Sequence, residues 1–274
     1  MSCWWNMAIG QRDAAGAASS GKLVLGLGAL LLGIDTCGPT GSVALGRVAA
    51  GGAESMPNVD LEILAEILLE GRSFSSKLVT AVGDLLKGAG ASLTDIGAIV
   101  AVNGPGSFTG VRVGLSAVKG LAEVSRIPVV AVSRLEVLAE KADVRAAALD
   151  AHRREIFLRI VDRAGRPRPA GATEMLAGAA ELKALSPLPE QVAVCDEAAA
   201  TLLESAWPTV ALLHATPPTA ADALKLVYTR RVAVGAAKGA VVDIALSDLA
   251  LLDGNYLRRS DAEIFGGVTE AKRG

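Results

Sequence analysis

Apolar positions along this chain fall into short runs and helical stripes, in alternation. Leu30 to Ile34 is a continuous apolar run, and Ser42 to Val48 reads as its hairpin partner. Phe74, Leu78, Val82 and Leu85 recur at helical spacing and predict a helix over Ser73–Lys87. Ser92-Leu93-Thr94-Asp95 is a turn and cap before a buried strand, Ile96 to Val102. Val111, Leu115, Val118 and Ala122 predict a second helix, Thr109 to Ser125. Pro128 opens a strand over Val129–Val132, and Leu135 to Lys141 is helical. Ala146–Asp150 and Glu155–Asp162 form a strand pair that starts a second lobe. Gly165 to Ala172 is a Pro/Gly loop, Val192–Cys195 a short strand, and Thr219–Lys238 a helix with a break near Val232–Gly235. Asp60 to Glu70 fits either a strand or a helix start. A strand hairpin opens each half and helices alternate with strands, which predicts a duplicated α/β lobe.

The beginning of the chain lacks this order. Met1 to Lys22 is rich in Gly, Ala and Ser without periodicity. Leu23 to Ile34 is apolar but only 12 residues long, too short to span a bilayer. It imitates the core of a signal peptide, yet Asp35 and Thr36 follow at once and it merges into the first strand. Residues 1–29 are therefore expected to be a disordered extension or an over-long start assignment.

The 274 residues suit one large domain or two ordinary lobes. Hydrophobic residues make up 51% but aromatic ones only 3%, so the core must be built from Ala, Val, Leu and Ile. A net charge of −2 argues against strong autonomous nucleic-acid binding. Cys3, Cys37 and Cys195 are widely spaced without a Cys-x-x-Cys pair, as expected of free thiols in a reducing compartment.

One stretch carries most of the local information: Asn103-Gly104-Pro105-Gly106-Ser107-Phe108-Thr109-Gly110-Val111-Arg112-Val113-Gly114. A strand, a Gly/Pro turn and a helix opening can hold an anion at the free N–H groups of the helix start. Ser107 or Thr109 can cap that helix. The same residues also fit a tight turn with no ligand, and local physics leaves both readings open. Cys37 likewise reads as a reactive thiol or as a small buried residue.

Five ordered segments resemble the TsaB (YeaZ) family. They are Leu31–Cys37 with Gly41–Leu45, the signature Gly104–Arg112, Ile127–Ser133, Leu149–Ala151, and Asn255–Glu263. The resemblance covers roughly Leu30 to Phe265. It implies an α/β fold of two similar lobes of the actin/Hsp70/sugar-kinase (ASKHA) architecture. Residues 30–132 would form the N-terminal lobe, with the glycine signature and dimerisation helices, and 133–274 the C-terminal lobe and tail. The signature loop comprises Gly104, Pro105, Gly106, Ser107, Phe108, Thr109 and Gly110. Asp35, Thr36, Gly41 and Ser42 would be a vestigial nucleotide loop. Phe74, Leu78, Val82, Leu85, Gly110, Gly114, Ala117 and Leu121 would form the surface that pairs with a TsaD-type subunit or a second copy.

Against that family background, chemistry is hard to locate in the chain. The second phosphate loop should be Asp150-Ala151-His152-Arg153-Arg154-Glu155, which contains no glycine to let backbone N–H groups close on a phosphate. The catalytic TsaD/Kae1 relatives carry an Asn-His-x-x-x-His metal run, and here Arg134 and Leu138 stand at the two ligand positions. The only histidines, His152 and His214, form no cluster. The chain also departs from its own family, with Phe74 and Ser76 where a His and a Glu are usual. The resemblance thus implies a non-catalytic subunit of the complex that makes N6-threonylcarbamoyladenosine in tRNA. It would work in the cytoplasm with a TsaD-type catalytic subunit, a TsaE-type ATPase and itself as a homodimer. No cofactor would be required beyond weak ATP or ADP binding in the complex. Contact with tRNA would be indirect, and a membrane would play no part. The rival readings are an ATP-dependent kinase or ATPase using Asp35, a metallopeptidase, and a homodimeric scaffold with another client.

Overall fold

The structure, a computed structural model, describes residues 22–50, 59–70, 74–162, 173–229 and 240–257. Two five-stranded sheets dominate it. The first contains β2 (Leu30–Asp35), β3 (Gly41–Ala50), β4 (Val59–Leu69), β5 (Ile96–Val102) and β6 (Val129–Val132), in the order β4-β3-β2-β5-β6. The second contains β7 (Ala146–Asp150), β8 (Glu155–Ile160), β9 (Glu174–Gly178), β10 (Gln191–Val194) and β11 (Ala211–His214), in the order β11-β10-β7-β8-β9. Within each sheet the first strand lies at the centre. It pairs antiparallel with the second, which pairs antiparallel with the third, and it pairs parallel with the fourth. The two sheets therefore share one topology, which is the duplicated α/β lobe expected from the sequence.

Helix α1 (Phe74–Gly88) and helix α2 (Phe108–Ser125) pack on the first sheet and on each other. Helix α6 (Ala220–Thr229) covers the face onto which Gly33 and Gly46 open. A Cβ on Gly33 would lie 2.8 Å from the Ala220 carbonyl oxygen, so the missing side chains at these two glycines make the seat for α6. Strand alternation turns Leu32 and Ile34 to the opposite face. On the second sheet, α4 (Ala179–Ala184) and α5 (Glu197–Ala206) share a core with Trp207, whose indole N–H donates to the Leu182 carbonyl at 2.7 Å. Helix α3 (Arg134–Lys141) buries Leu135 and Leu138 against Ala147, Leu149 and Phe157 of that sheet.

The two halves of the chain are not separate in space. Helix α6 lies in the second half of the sequence but packs into the core of the first lobe, so a cut at 132/133 does not divide the molecule. Helices α3 and α6 meet between the lobes, where the Lys141 ammonium pairs with Asp222 at 2.7 Å. The ambiguous Asp60–Glu70 stretch is a strand, β4, at the edge of the first sheet. Part of the expected N-terminal extension is ordered. Strand β1 (Lys22–Leu25) pairs antiparallel with β12 (Ala240–Ala245), and Leu25 is buried in the first core. The expectations for residues 1–21, for Gly165–Ala172 and for the helix break near Val232–Gly235 lie outside the described residues.

Candidate functional site

Strand β2 delivers Asp35 to the junction of the lobes, and the loop behind it is held by its own polar groups. The Asp35 carboxylate accepts from the Cys37 N–H at 2.8 Å and from Nε of Arg134 at 3.3 Å. The Thr36 hydroxyl donates to the Gly110 carbonyl at 2.6 Å. The Ser42 hydroxyl accepts the Ala220 N–H at 2.7 Å, tying β3 to the start of α6. Gly41 lies beneath Phe74, whose ring would be 3.0 Å from a Cβ there. All four residues expected to form a vestigial nucleotide loop are buried. The polar side-chain groups of Asp35, Thr36 and Ser42 are spent on internal bonds, which leaves them little to offer a nucleotide. Phe74 packs inward, so this departure from the expected family pattern is a core contact.

Arg134 begins α3, where Ser133 caps the helix by accepting the Leu135 N–H. Its guanidinium is buried beside Asp35, with side-chain exposures of 6% and 2% for the pair. Burial alone would lower its pKa, but Asp35, Cys37 and Cys195 outweigh burial and hold it above the ordinary arginine value. A Cβ on Gly38 would collide with this guanidinium, so the glycine makes room for the cation. Burial, reinforced by Asp35, pushes the Cys37 thiol well above its ordinary value of 9.0, so Cys37 is a neutral buried thiol donating to the Val102 carbonyl. These residues do not fit the metal of the catalytic relatives. Arg134 and Leu138 supply a cation and a hydrocarbon, both buried. Among the described residues, no three of the types His, Cys, Asp and Glu gather into a candidate metal site.

The signature loop is clasped from three sides. The Ser107 N–H donates to the Cys37 carbonyl at 2.8 Å, the Arg134 N–H to the Gly104 carbonyl at 2.6 Å, and the Asn255 N–H to the Asn103 carbonyl at 2.7 Å. Ser107 caps α2 by accepting the Gly110 N–H. Gly110 and Gly114 let α2 lie directly on Thr36: a Cβ on Gly110 would collide with the Thr36 carbonyl, and one on Gly114 with its hydroxyl. Phe108 meets Tyr256 with ring centroids 5.2 Å apart, and the Arg112 guanidinium stacks 3.8 Å over the Phe108 ring. Nothing in the sequence pattern links Tyr256 to Phe108 or Arg134 to Asp35. Both relationships depend on distant segments meeting.

A cavity of about 950 Å³ lies between the lobes, lined among others by Gly38, Ser107, Phe108, Arg134, Arg153 and Tyr256. Its far lip is the β7–β8 hairpin. There His152, Arg153 and Arg154 all take left-handed backbone, with φ of 61°, 57° and 63°, a strained run for residues with side chains. The Asp150 carboxylate bonds the His152 N–H at 2.7 Å and its Nδ1 at 2.8 Å. Asp196 caps α5 and accepts the Asp150 N–H.

The expected pairing surface needs correction. Phe74, Leu78, Val82 and Leu85 on α1, and Gly110 and Gly114 on α2, are all buried within the chain's own first lobe. Helical spacing revealed the inward stripe of each helix. Only Ala117 and Leu121 are partly exposed. The outward faces carry Val79, 61% exposed, with Thr80 and Gly83 on α1, and Gly120 and Val124, 85% exposed, on α2. A Cβ on either Gly83 or Gly120 would meet nothing within 4 Å.

Comparisons with known proteins agree with this architecture. The family model described as TsaD: tRNA N6-adenosine threonylcarbamoyltransferase matches residues 62–216. The tRNA threonylcarbamoyladenosine biosynthesis protein TsaB of Escherichia coli is 35% identical over 46% of this chain and 52% of its own length. The tRNA N6-adenosine threonylcarbamoyltransferase of Agrobacterium fabrum is 35% identical over 39% of this chain and 32% of its own. The chain thus spans about half the length, or less, of these curated relatives. A Pseudomonas aeruginosa crystal structure, described as similar to peptidase YEAZ, superposes with a TM-score of 0.60 at 27% identity, covering 84% of this chain and 100% of the other. With a family model over more than half of its residues and these relatives beside it, the chain belongs to the TsaD family of two-lobed ASKHA-type proteins, as one of its TsaB (YeaZ) members.

Proposed function

We propose that the chain takes part in making threonylcarbamoyladenosine in tRNA, as a non-catalytic subunit that pairs with and activates a TsaD-type transferase. The observation that carries the reading is the contrast between the loop and the helices. The polar side-chain groups of Asp35, Thr36 and Ser42 are bonded inward. The outward faces of α1 and α2 present Val79, Thr80 and Gly83 beside Val113, Ala117, Gly120 and Val124. On α2 these positions recur at spacings of four, three and four, a seam of small and β-branched residues suited to close helix packing. A TsaD-type subunit is the proposed occupant, and in its absence a second copy of the chain. A TsaE-type ATPase would join the pair, tRNA would be contacted through the partners, and the assembly would act in the cytoplasm. A kinase or ATPase reading is disfavoured, since Asp35 is committed to Arg134 and the second loop has no glycine. Bound nucleotide would be weak and dispensable.

The test is light scattering coupled to size-exclusion chromatography, with the chain alone and mixed with the TsaD-type subunit of its own organism. A discrete one-to-one or two-to-two complex, lost on Gly120→Arg, is the expected result. No complex, together with nucleotide turnover by the isolated chain, would overturn the proposal.

A further inference from the structure

We infer that the cavity between the lobes is a binding site for a small oxyanion, anchored by Arg134. The inference does not depend on the pairing reading, because every group it uses lies in this one chain and faces away from the outer surfaces of α1 and α2.

The first observation is the state of the guanidinium. Arg134 is buried, lines the cavity, and spends only its Nε on Asp35. Its Nη1 and Nη2 groups have no hydrogen-bond partner among the described residues. A buried guanidinium with two open donors beside a cavity is matched in chemistry by a carboxylate or phosphoryl group, which takes two parallel N–H bonds. The second observation is independent. The 18-residue helix α2 begins at the cavity wall with Phe108, whose N–H has no backbone partner among the described residues, next to the capping Ser107. The positive end of that helix and the guanidinium thus line one space. Arg153 places a cationic side chain at the opposite lip.

The acids on the cavity wall have partners of their own. Asp150 is held by His152, and Asp196 by the Ala199 and Asp150 N–H groups. Phe74, Phe108, Leu149, Phe157 and Leu257 supply apolar walls, so the ligand is a small molecule with one anionic end and an apolar body. The site is not a two-loop nucleotide cradle, since the Asp35, Thr36 and Ser42 groups are engaged elsewhere.

Thermal unfolding and isothermal titration of the full chain with inorganic phosphate, and separately with acetate, test the inference. Saturable binding of at least one probe is expected. Tighter phosphate indicates a phosphoryl ligand, and tighter acetate a carboxylate. Ser107→Asp keeps a good helix cap but puts a carboxylate at the cavity mouth, and it should weaken the bound probe about tenfold. Arg134→Lys should do the same, and Arg153→Ala somewhat less. General salt stabilisation is common to wild type and variants, so the difference between them is the readout. If Arg134→Lys does not fold, Ser107→Asp decides alone. No saturable binding of either probe, or wild-type binding by a folded Ser107→Asp chain, overturns the inference.

Discussion

Arg134 and Asp35 lie 99 residues apart in sequence and form a buried ion pair at 3.3 Å that joins the first helix after β6 to the central strand of the first sheet. Removing one partner strands the other charge in a poorly solvated place. Arg134→Leu should therefore cost about 3–5 kcal/mol of stability. The double change Arg134→Leu with Asp35→Asn should cost distinctly less, because no uncompensated charge is left behind. Urea unfolding of the four chains in the cycle measures the coupling. A double variant as unstable as the sum of the singles would show that the two residues act independently.

Gly114 and Gly120 occupy the same helix and should respond to alanine with opposite sign. In open space, Gly120→Ala gains helix propensity and should stabilise by up to about 1 kcal/mol. At Gly114 the same methyl group would drive into the Thr36 hydroxyl and disturb its bond to the Gly110 carbonyl. The overpacking cost of about 1–3 kcal/mol should exceed the propensity gain. Thermal unfolding midpoints of the two variants would move in the same direction if the close approach of α2 to Thr36 carried no energy.

Those glycines show what was legible in the sequence and what was not. The order of strands and helices, the duplicated lobe and the Ser107 cap could all be read from local pattern. The roles of Gly110 and Gly114 could not, because a glycine in an apolar helix looks the same whether its missing side chain faces a partner or the chain's own backbone. For Phe74, Leu78, Val82 and Leu85 the helical periodicity identifies an apolar stripe but not what covers it, and the partner role comes from the family resemblance alone. Arg134 was legible only as a residue unable to bind a metal. Its pairing with Asp35 depends on two lobes meeting, and no local signal carries that information. β9, α4 and α5 escaped because short elements rich in Ala, Glu and Gly have weak periodicity.

The two thiols beside Arg134 predict an alkaline weakness. Burial raises the Cys37 and Cys195 pKa values above 9.0, so the folded chain keeps protons that the unfolded chain releases. Their contribution is fully present below the unfolded-state value and is lost as pH rises from there toward the folded-state values. For one fully suppressed ionisation, the loss approaches about 1.4 kcal/mol per pH unit. Cys37→Ala should flatten this part of the profile while lowering stability at neutral pH through the lost packing. Denaturant unfolding from about pH 8 to pH 10.5 checks it. Parallel profiles for wild type and variant would mean that Cys37 ionises freely in the fold.

The surface assignment can be separated from the fold by choosing glycines according to what lies above them. Gly114→Trp cannot test partner docking, since its side chain would enter the chain's own Thr36 contact and unseat α2. Gly83→Arg and Gly120→Arg add bulk and charge only on the outward side, where nothing lies within 4 Å of a Cβ. Neither variant should lower the unfolding midpoint, because in open space arginine gains helix propensity over glycine much as alanine does. If helix packing across α1 and α2 holds the complex, a large charged group at the seam should weaken association with the TsaD-type subunit by a factor of about 100 or more, in line with a hot-spot loss near 3 kcal/mol. Titration calorimetry of each variant against that subunit gives the number. Wild-type affinity in both would move the docking surface off these helices while leaving the fold and the Arg134 site untouched.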